Sequence, residues 1–282
     1  MTPFHPNETY FKDIAPLVKL ALNEDIGEGD ITGDLIPYEK HMSAYILGRE
    51  AAICCGAPWV MEVFKQVDPT LKIEWKVQEG QWIEKDQIWM TVHGCAQKIL
   101  TAERTALNFL QTLSGTATLS AQYAQKIANT GVKILDTRKT LPGFRLAQKY
   151  AVKMGGCFNH RLGLYHAFLI KENHIAACGG IKEAVICARK LHIGKAIEVE
   201  VETLTQLIEA LEAQVDIIML DNFNIMDIKE AVILCQGRSK LEVSGGVTDH
   251  NLQEIACTGI DYISVGALTK NVKAIDLSLR FY

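Results

Sequence analysis

The chain has 282 residues, 48% of them hydrophobic, which is enough to bury a sizeable core and to form one large α/β domain with a smaller companion. A charged fraction of 22% and a net charge of −4 exclude a disordered segment or a protein that coats nucleic acid, so no nucleic-acid partner is expected. No membrane span is expected either, because the apolar run over residues 51–61 is broken by Gly56 and Pro58, and residues 1–11 lack the apolar stretch of an export signal; a cytoplasmic address follows.

The first hundred residues have α+β texture. A helix is expected over residues 14–22, strands near 43–50, 71–77 and 88–92, and helical runs around 60–66 and 101–113. The stretch from Glu79 to Asp86 resembles the tight turn of a biotinyl-carrier hairpin, but Lys85 lacks flanking methionines and turn chemistry makes it a surface turn. From Ile134 the rhythm changes. Short apolar strands at 134–135, 167–170, 197–201, 217–220, 241–243 and 262–265 alternate with amphipathic stretches at 145–154, 181–192, 204–212 and 226–235.

Such alternation means parallel strands joined by crossovers, in a closed (β/α) barrel or an open doubly wound sheet. Gly27, Gly29 and Gly33 miss the GxGxxG spacing, follow no strand, and have no GxxxxGK[ST] loop beside them, which favours the barrel. The expected division is an N-terminal domain of residues 1–112, a barrel domain of 113–271, and a tail of 272–282 that packs back on the first. The eight cysteines show no metal spacing and read as buried hydrophobes in a reducing compartment, Cys157 included. His174 and Gly179-Gly180 are expected only to cap or turn a helix beginning near Ile181.

In a (β/α) barrel the residues just past the C-terminal strand ends line the active site. Here they are Asp136-Thr137-Arg138-Lys139, then Lys171, then Glu200 and Glu202, then Asp221-Asn222, and finally Ser244-Gly245-Gly246 and Ser264-Val265-Gly266. His160 and Arg161 add to the cationic group, with Arg145 nearby, and Asp136 is the only acidic residue between Lys133 and Lys171. Concentrating cations in a net negative chain builds a local positive field, and arginine forks grip carboxylate or phosphate, so the expected ligand carries several negative charges. A solvated basic surface is the plainer alternative. The two glycine tripeptides match a barrel phosphate site, where backbone N–H groups approach phosphate oxygens. Glu200 and Asp221 are expected to face each other on neighbouring strand ends, where such a pair can hold magnesium or ribose hydroxyls. A glycosidase pair, or simple ion pairing with Lys171 or Arg138, are the competing readings.

The segments Asn23-Glu24-Asp25-Ile26-Gly27-Glu28-Gly29-Asp30-Ile31-Thr32, Thr101-Ala102-Glu103-Arg104-Thr105-Ala106-Leu107-Asn108, Leu135-Asp136-Thr137-Arg138-Lys139-Thr140, Asn159-His160-Arg161 and Leu220-Asp221-Asn222 resemble nicotinate-nucleotide pyrophosphorylase (carboxylating), the quinolinate phosphoribosyltransferase family. The resemblance spans nearly the whole chain, in family order. It implies an N-terminal α/β sandwich, a C-terminal barrel-like domain that is incomplete relative to the eight-fold form, and a homodimer, assembling further to a hexamer in one alternative, in which Arg104 reaches across to the partner's site. It also implies the reaction: phosphoribosyl transfer from phosphoribosyl pyrophosphate to quinolinate with decarboxylation, giving nicotinate mononucleotide, pyrophosphate and CO2, with Mg2+ and no organic cofactor.

By matching motifs, Arg138, His160, Arg161 and Lys171, with Thr137 beside them, bind the two carboxylates of quinolinate, and Lys139 stands between that acid and the donor. Glu200 and Asp221 serve the ribose and the magnesium pyrophosphate, directly or through the substrate. Ser244-Gly245-Gly246 and Ser264-Val265-Gly266 take the 5-phosphate. Lys139, Lys171, Glu200 and Asp221 are the residues implied to be catalytic. Transferases for other pyridine acids or amides, a molybdenum-locus relative, a Schiff-base aldolase using Lys139 or Lys171, and a non-catalytic anion-binding barrel stay open as alternatives.

Overall fold

The computed structural model describes residues 8–282; residues 1–7, part of the stretch examined for an export signal, lie outside the described residues. In chain order the elements are α1 (Glu8–Phe11), α2 (Ile14–Ile26), β1 (His41–Gly48), β2 (Ala52–Ile53), α3 (Ala57–Val67), β3 (Lys72–Trp75), β4 (Trp82–Ile83), β5 (Ile88–Cys95), α4 (Ala96–Lys126), β6 (Lys133–Leu135) and α5 (Arg145–Met154). They continue with β7 (Phe168–Ile170), α6 (Glu172–Cys178), α7 (Ile181–Leu191), β8 (Ile197–Val201), α8 (Leu204–Glu212), β9 (Ile217–Asp221), α9 (Ile225–Cys235), β10 (Lys240–Ser244), α10 (Leu252–Ala256), β11 (Tyr262–Ser264), α11 (Ala267–Lys270) and β12 (Leu277–Phe281). Among the described residues no helix is long and apolar enough to cross a membrane.

Two compact units emerge. One holds the described residues up to Ala121 together with Thr140–Gly156 and Leu268–Tyr282; the other holds Gln122–Lys139 and Cys157–Ala267. The first unit is built on an antiparallel sheet in the order β12-β1-β5-β3, with β2 and β4 forming a separate pair. Strand β1 shows the period-two pattern of a half-buried strand, with Ala44 and Ile46 fully buried. Helix α3 buries Trp59, Val60, Val63 and Phe64, and its first amides are satisfied from a distance: Gly56 and Ala57 N–H donate to the Glu79 carboxylate at 2.7 and 3.0 Å. Burial pushes the Glu79 carboxyl above its ordinary value, against the pull of those amides.

Helix α4 runs 31 residues, well past the stop expected at residue 113. The apolar period fails there because the buried face turns polar. Ser114 Oγ accepts from Cys55 N–H and donates to Cys55 C=O, and Thr118 Oγ1 accepts from Ile53 N–H at 2.9 Å. Small hydroxyl residues thus satisfy the backbone of β2 and the loop after it where a Leu or Val would have left it unpaired.

The second unit is a six-stranded, wholly parallel sheet in the order β6-β11-β10-β9-β8-β7. Strands β7 to β11 are neighbours in chain order and β6 returns beside β11, the strand sequence of a barrel. No pairing joins β6 to β7 among the described residues, so the barrel is incomplete, as the resemblance implied. On the free edge of β6, Phe158 N–H donates to Ile134 C=O and Asp136 N–H donates to Phe158 C=O, so the segment after α5 adds a fragment of strand there.

Candidate active site

A cavity of about 300 Å3 opens among the strand ends of the second unit, lined by Thr137, Arg138, Lys139, His160, Arg161, Leu169, Lys171, Glu200, Met219, Glu242, Ser244 and Ser264. Seven of these are expected from strand-end positions in the sequence, and His160 and Arg161 from the connection between the first two strands; Leu169, Met219 and Glu242 are not among the expected residues. Period two explains the lining: in β8 the apolar Ile197, Val199 and Val201 face away from Glu198 and Glu200, and in β10 Glu242 shares a face with Ser244.

The floor is acidic and ordered. Asp136 is fully buried, and its carboxylate accepts from Asn159 Nδ2 at 2.6 Å and from His160 N–H at 2.9 Å, which pins the Asn159-His160-Arg161 segment to the end of β6. Asp136 therefore belongs to the frame of the site. His160 Nε2 lies 2.8 Å from Glu198 Oε2 and 3.7 Å from Glu242 Oε2. Burial, and then the charge of Glu198, push the Glu242 carboxyl well above its ordinary value, with His160 pulling the other way. The ligand atoms of these three residues lie within 4.8 Å of one another, a spacing that can hold a metal ion. Without a metal, a proton on Glu242 would remove one of the two negative charges that face His160.

Above the floor the cations crowd one another. Arg138 Nε is buried and makes no hydrogen bond among the described residues. Burial and the neighbouring Arg138 charge together hold the Arg161 guanidinium below its ordinary value. Lys171 Nζ donates to Glu200 Oε2 at 2.5 Å. An anion in the cavity relieves the repulsion between the two arginines and gives Arg138 an acceptor. Lys171 precedes α6, and its backbone N–H donates to His174 Nδ1 at 3.1 Å. His174 thus belongs to a short helix of its own rather than to the turn before α7.

Register refines the expected facing of Glu200 and Asp221, which lie on one face of neighbouring strands, offset by two residues along the ladder. The parallel ladders set Glu200 beside Met219, and Asp221 beside Ser244. Each carboxylate has its own partner: Lys171 for Glu200, and Asn222 Nδ2, at 2.9 Å, for Asp221 Oδ2. Each group still holds a second oxygen, a hard donor suited to a divalent cation shared with substrate oxygens. Gly245 and Gly246 form the exposed turn after β10 at φ of 82° and 60°. Buried Val265 extends the β6–β11 ladder by donating to Leu135 C=O. Gly266 lies under Lys139, whose Cδ would be 3.1 Å from a Cβ placed there. Arg104 is exposed on α4, in the first unit. Burial and the charge of Asp136 push the Cys157 thiol up to about 12, consistent with a packing role.

An incomplete parallel barrel whose small cavity is lined by two arginines and two lysines, with a glycine turn following its Ser244, defines an α/β enzyme suited to a multiply charged anion. More specifically, the chain belongs to the quinolinate phosphoribosyl transferase family: the family's N-terminal domain matches residues 30–114 and its C-terminal domain residues 116–280. Among its relatives, the chloroplastic nicotinate-nucleotide pyrophosphorylase [carboxylating] of Arabidopsis thaliana is 41% identical, over 99% of this chain and 84% of that one. A mitochondrial quinolinate phosphoribosyltransferase [decarboxylating] of Nicotiana tabacum is also 41% identical with the same coverage. The solved nicotinate-nucleotide pyrophosphorylase of Francisella tularensis superposes with a TM-score of 0.94 at 48% identity, covering 96% of each chain.

Proposed function

We propose that this chain transfers the phosphoribosyl group of phosphoribosyl pyrophosphate to quinolinate with loss of carbon dioxide, forming nicotinate mononucleotide and pyrophosphate. The observation that carries the reading is the convergence of Arg138, His160, Arg161 and Lys171 on one cavity in which Arg138 Nε awaits an acceptor. Two adjacent carboxylates on a ring offer the charge that this set requires.

In this reading the cations hold the diacid so that its ring nitrogen faces the anomeric carbon of the donor. The nitrogen–carbon bond forms as the bond to the pyrophosphate oxygen breaks, and that electron pair leaves with pyrophosphate. Lys139, reaching over Gly266, stabilises the departing oxygens, and Glu200 and Asp221 face the positive charge that develops on the ribose. A divalent cation bound with the donor, magnesium in this proposal, would be held by Asp221 or Glu200 and would supply charge neutralisation to the leaving group. The alkylated ring nitrogen then stabilises the electron pair left on the adjacent carbon when its carboxylate departs as carbon dioxide, and that carbon takes a proton.

The Ser244-Gly245-Gly246 and Ser264-Val265-Gly266 segments would receive the 5-phosphate. The proposal includes a homodimer in which Arg104 of one chain completes the cavity of the other, a role supported by its exposure on α4. The test is release of pyrophosphate and carbon dioxide from quinolinate, phosphoribosyl pyrophosphate and magnesium, with nicotinate in parallel. Release of both products from quinolinate supports the reading, whereas turnover of nicotinate alone, or of neither acid, overturns it.

A further inference from the structure

Asn222 follows the last residue of β9 in a left-handed backbone conformation, φ 58°, which few residues besides glycine and asparagine adopt readily. Its backbone N–H donates to Ser244 C=O at 2.9 Å, tying the end of β9 to the end of β10. Its side chain reaches two further groups. Nδ2 donates to Asp221 Oδ2 at 2.9 Å, which fixes the amide orientation, since only the nitrogen can serve a carboxylate. Oδ1 lies 2.1 Å from where a Cβ on Gly245 would be, so the amide oxygen fills the space that a side chain at Gly245 would need. One amide therefore spans a strand-end carboxylate and the first glycine of the next turn.

We propose that Asn222 is a positioning residue for the donor half of the site. It sets the direction of the free Asp221 oxygen and the path of Gly245-Gly246 together, so that ribose and 5-phosphate are received in one fixed relation. The inference rests on the reading that the cavity takes phosphoribosyl pyrophosphate. The quinolinate half, built from Arg138, His160, Arg161 and Lys171, shares no hydrogen bond with Asn222 among the described residues and should be insensitive to it.

Asn222→Gly separates this role from a structural one, because glycine adopts φ 58° without strain and the fold should be kept while the bridge is lost. Asn222→Asp keeps the size but sets a second carboxylate against Asp221. Three readouts on purified protein are needed: the melting temperature, equilibrium binding of quinolinate, and equilibrium binding of phosphoribosyl pyrophosphate with magnesium in the presence of benzene-1,2-dicarboxylate, which has no ring nitrogen to alkylate. For Asn222→Gly we expect an unchanged melting temperature, unchanged quinolinate affinity, and donor affinity and donor KM each worse by about tenfold, the size of one charge-assisted hydrogen bond. Asn222→Asp should lose more. Wild-type donor affinity in both variants, or equal losses for quinolinate and donor, would overturn the inference. Wild-type protein that neither binds the donor nor turns over would overturn the proposed function, and this inference with it.

Discussion

His160 sets Nε2 2.8 Å from the Glu198 carboxylate, with Glu242 0 % exposed just beyond it. The two carboxyls differ in kind: Glu198 is the direct partner of the imidazole, whereas burial and the charge of Glu198 push the Glu242 carboxyl well above its ordinary value. A folded pKa above the unfolded one means that Glu242 contributes stability in full below its ordinary value of 4.5 and loses it as pH rises through the elevated value. Glu242→Gln mimics the protonated acid and does not titrate. Its melting temperature should therefore gain on the wild type as pH is raised from about 5 to about 9, with kcat nearly unchanged. Glu198→Gln should instead lower kcat/KM by about tenfold, by removing the charge that orients His160. Parallel stability curves for Glu242→Gln and wild type would refute the assignment.

Arg138 and Lys171 should separate function from folding. Arg138 Nε makes no hydrogen bond among the described residues, so Arg138→Ala should cost only about 1 kcal/mol of stability while lowering kcat/KM by about a hundredfold or more. Lys171→Ala should be comparably inactive but less stable, because it leaves the nearly buried Glu200 without its counter-charge. Denaturant melts beside steady-state kinetics decide the matter, and a fully active Arg138→Ala would sink the proposed function.

Shared sites make a quantitative prediction about assembly. If Arg104 of one chain serves the cavity of its partner, Arg104→Ala and Lys171→Ala are each inactive alone, yet a heterodimer of the two carries one intact site. Equal mixing with subunit exchange should restore about a quarter of wild-type activity, since half of the dimers are mixed and one site in each is whole. No recovery after verified exchange would place Arg104 in its own chain's site or outside any site.

Much of the barrel was legible because each strand-helix unit carries its own pattern: the limits expected for 197–201 and 204–212 match β8 and α8 residue for residue. The cationic wall was legible too, because residues past strand ends must point into the mouth. What escaped lies where non-local partners decide. Glu198 and Glu242 sit inside strands, and only the alternation Ile197-Glu198-Val199-Glu200-Val201 hinted that a second acid faces inward. Register, which offsets Glu200 from Asp221 by two residues, leaves no mark in either strand's own residues. The two-residue pair β2–β4 and the final strand β12 are too short or too remote from their partners to show a period.

The extension of α4 gives the last test, because local and tertiary physics predict opposite signs. Gly115 lies inside a helix, where replacement by alanine should add about 1 kcal/mol of stability by propensity alone. A Cβ at Gly115 would, however, stand 2.0 Å from the Lys273 C=O, and one at Gly155 would stand 2.2 Å from the Ala117 C=O. Both obstacles are backbone oxygens, which cannot rotate away as a flexible side chain can, so the helix or its neighbour must shift. Overpacking of this kind costs about 1–3 kcal/mol or more and should outweigh the propensity gain. Gly115→Ala should therefore melt below the wild type in urea, with an unchanged slope against denaturant and normal kinetics per folded molecule. A more stable Gly115→Ala would mean that the approach of α4 to the C-terminal segment is looser than the 2.0 Å separation requires.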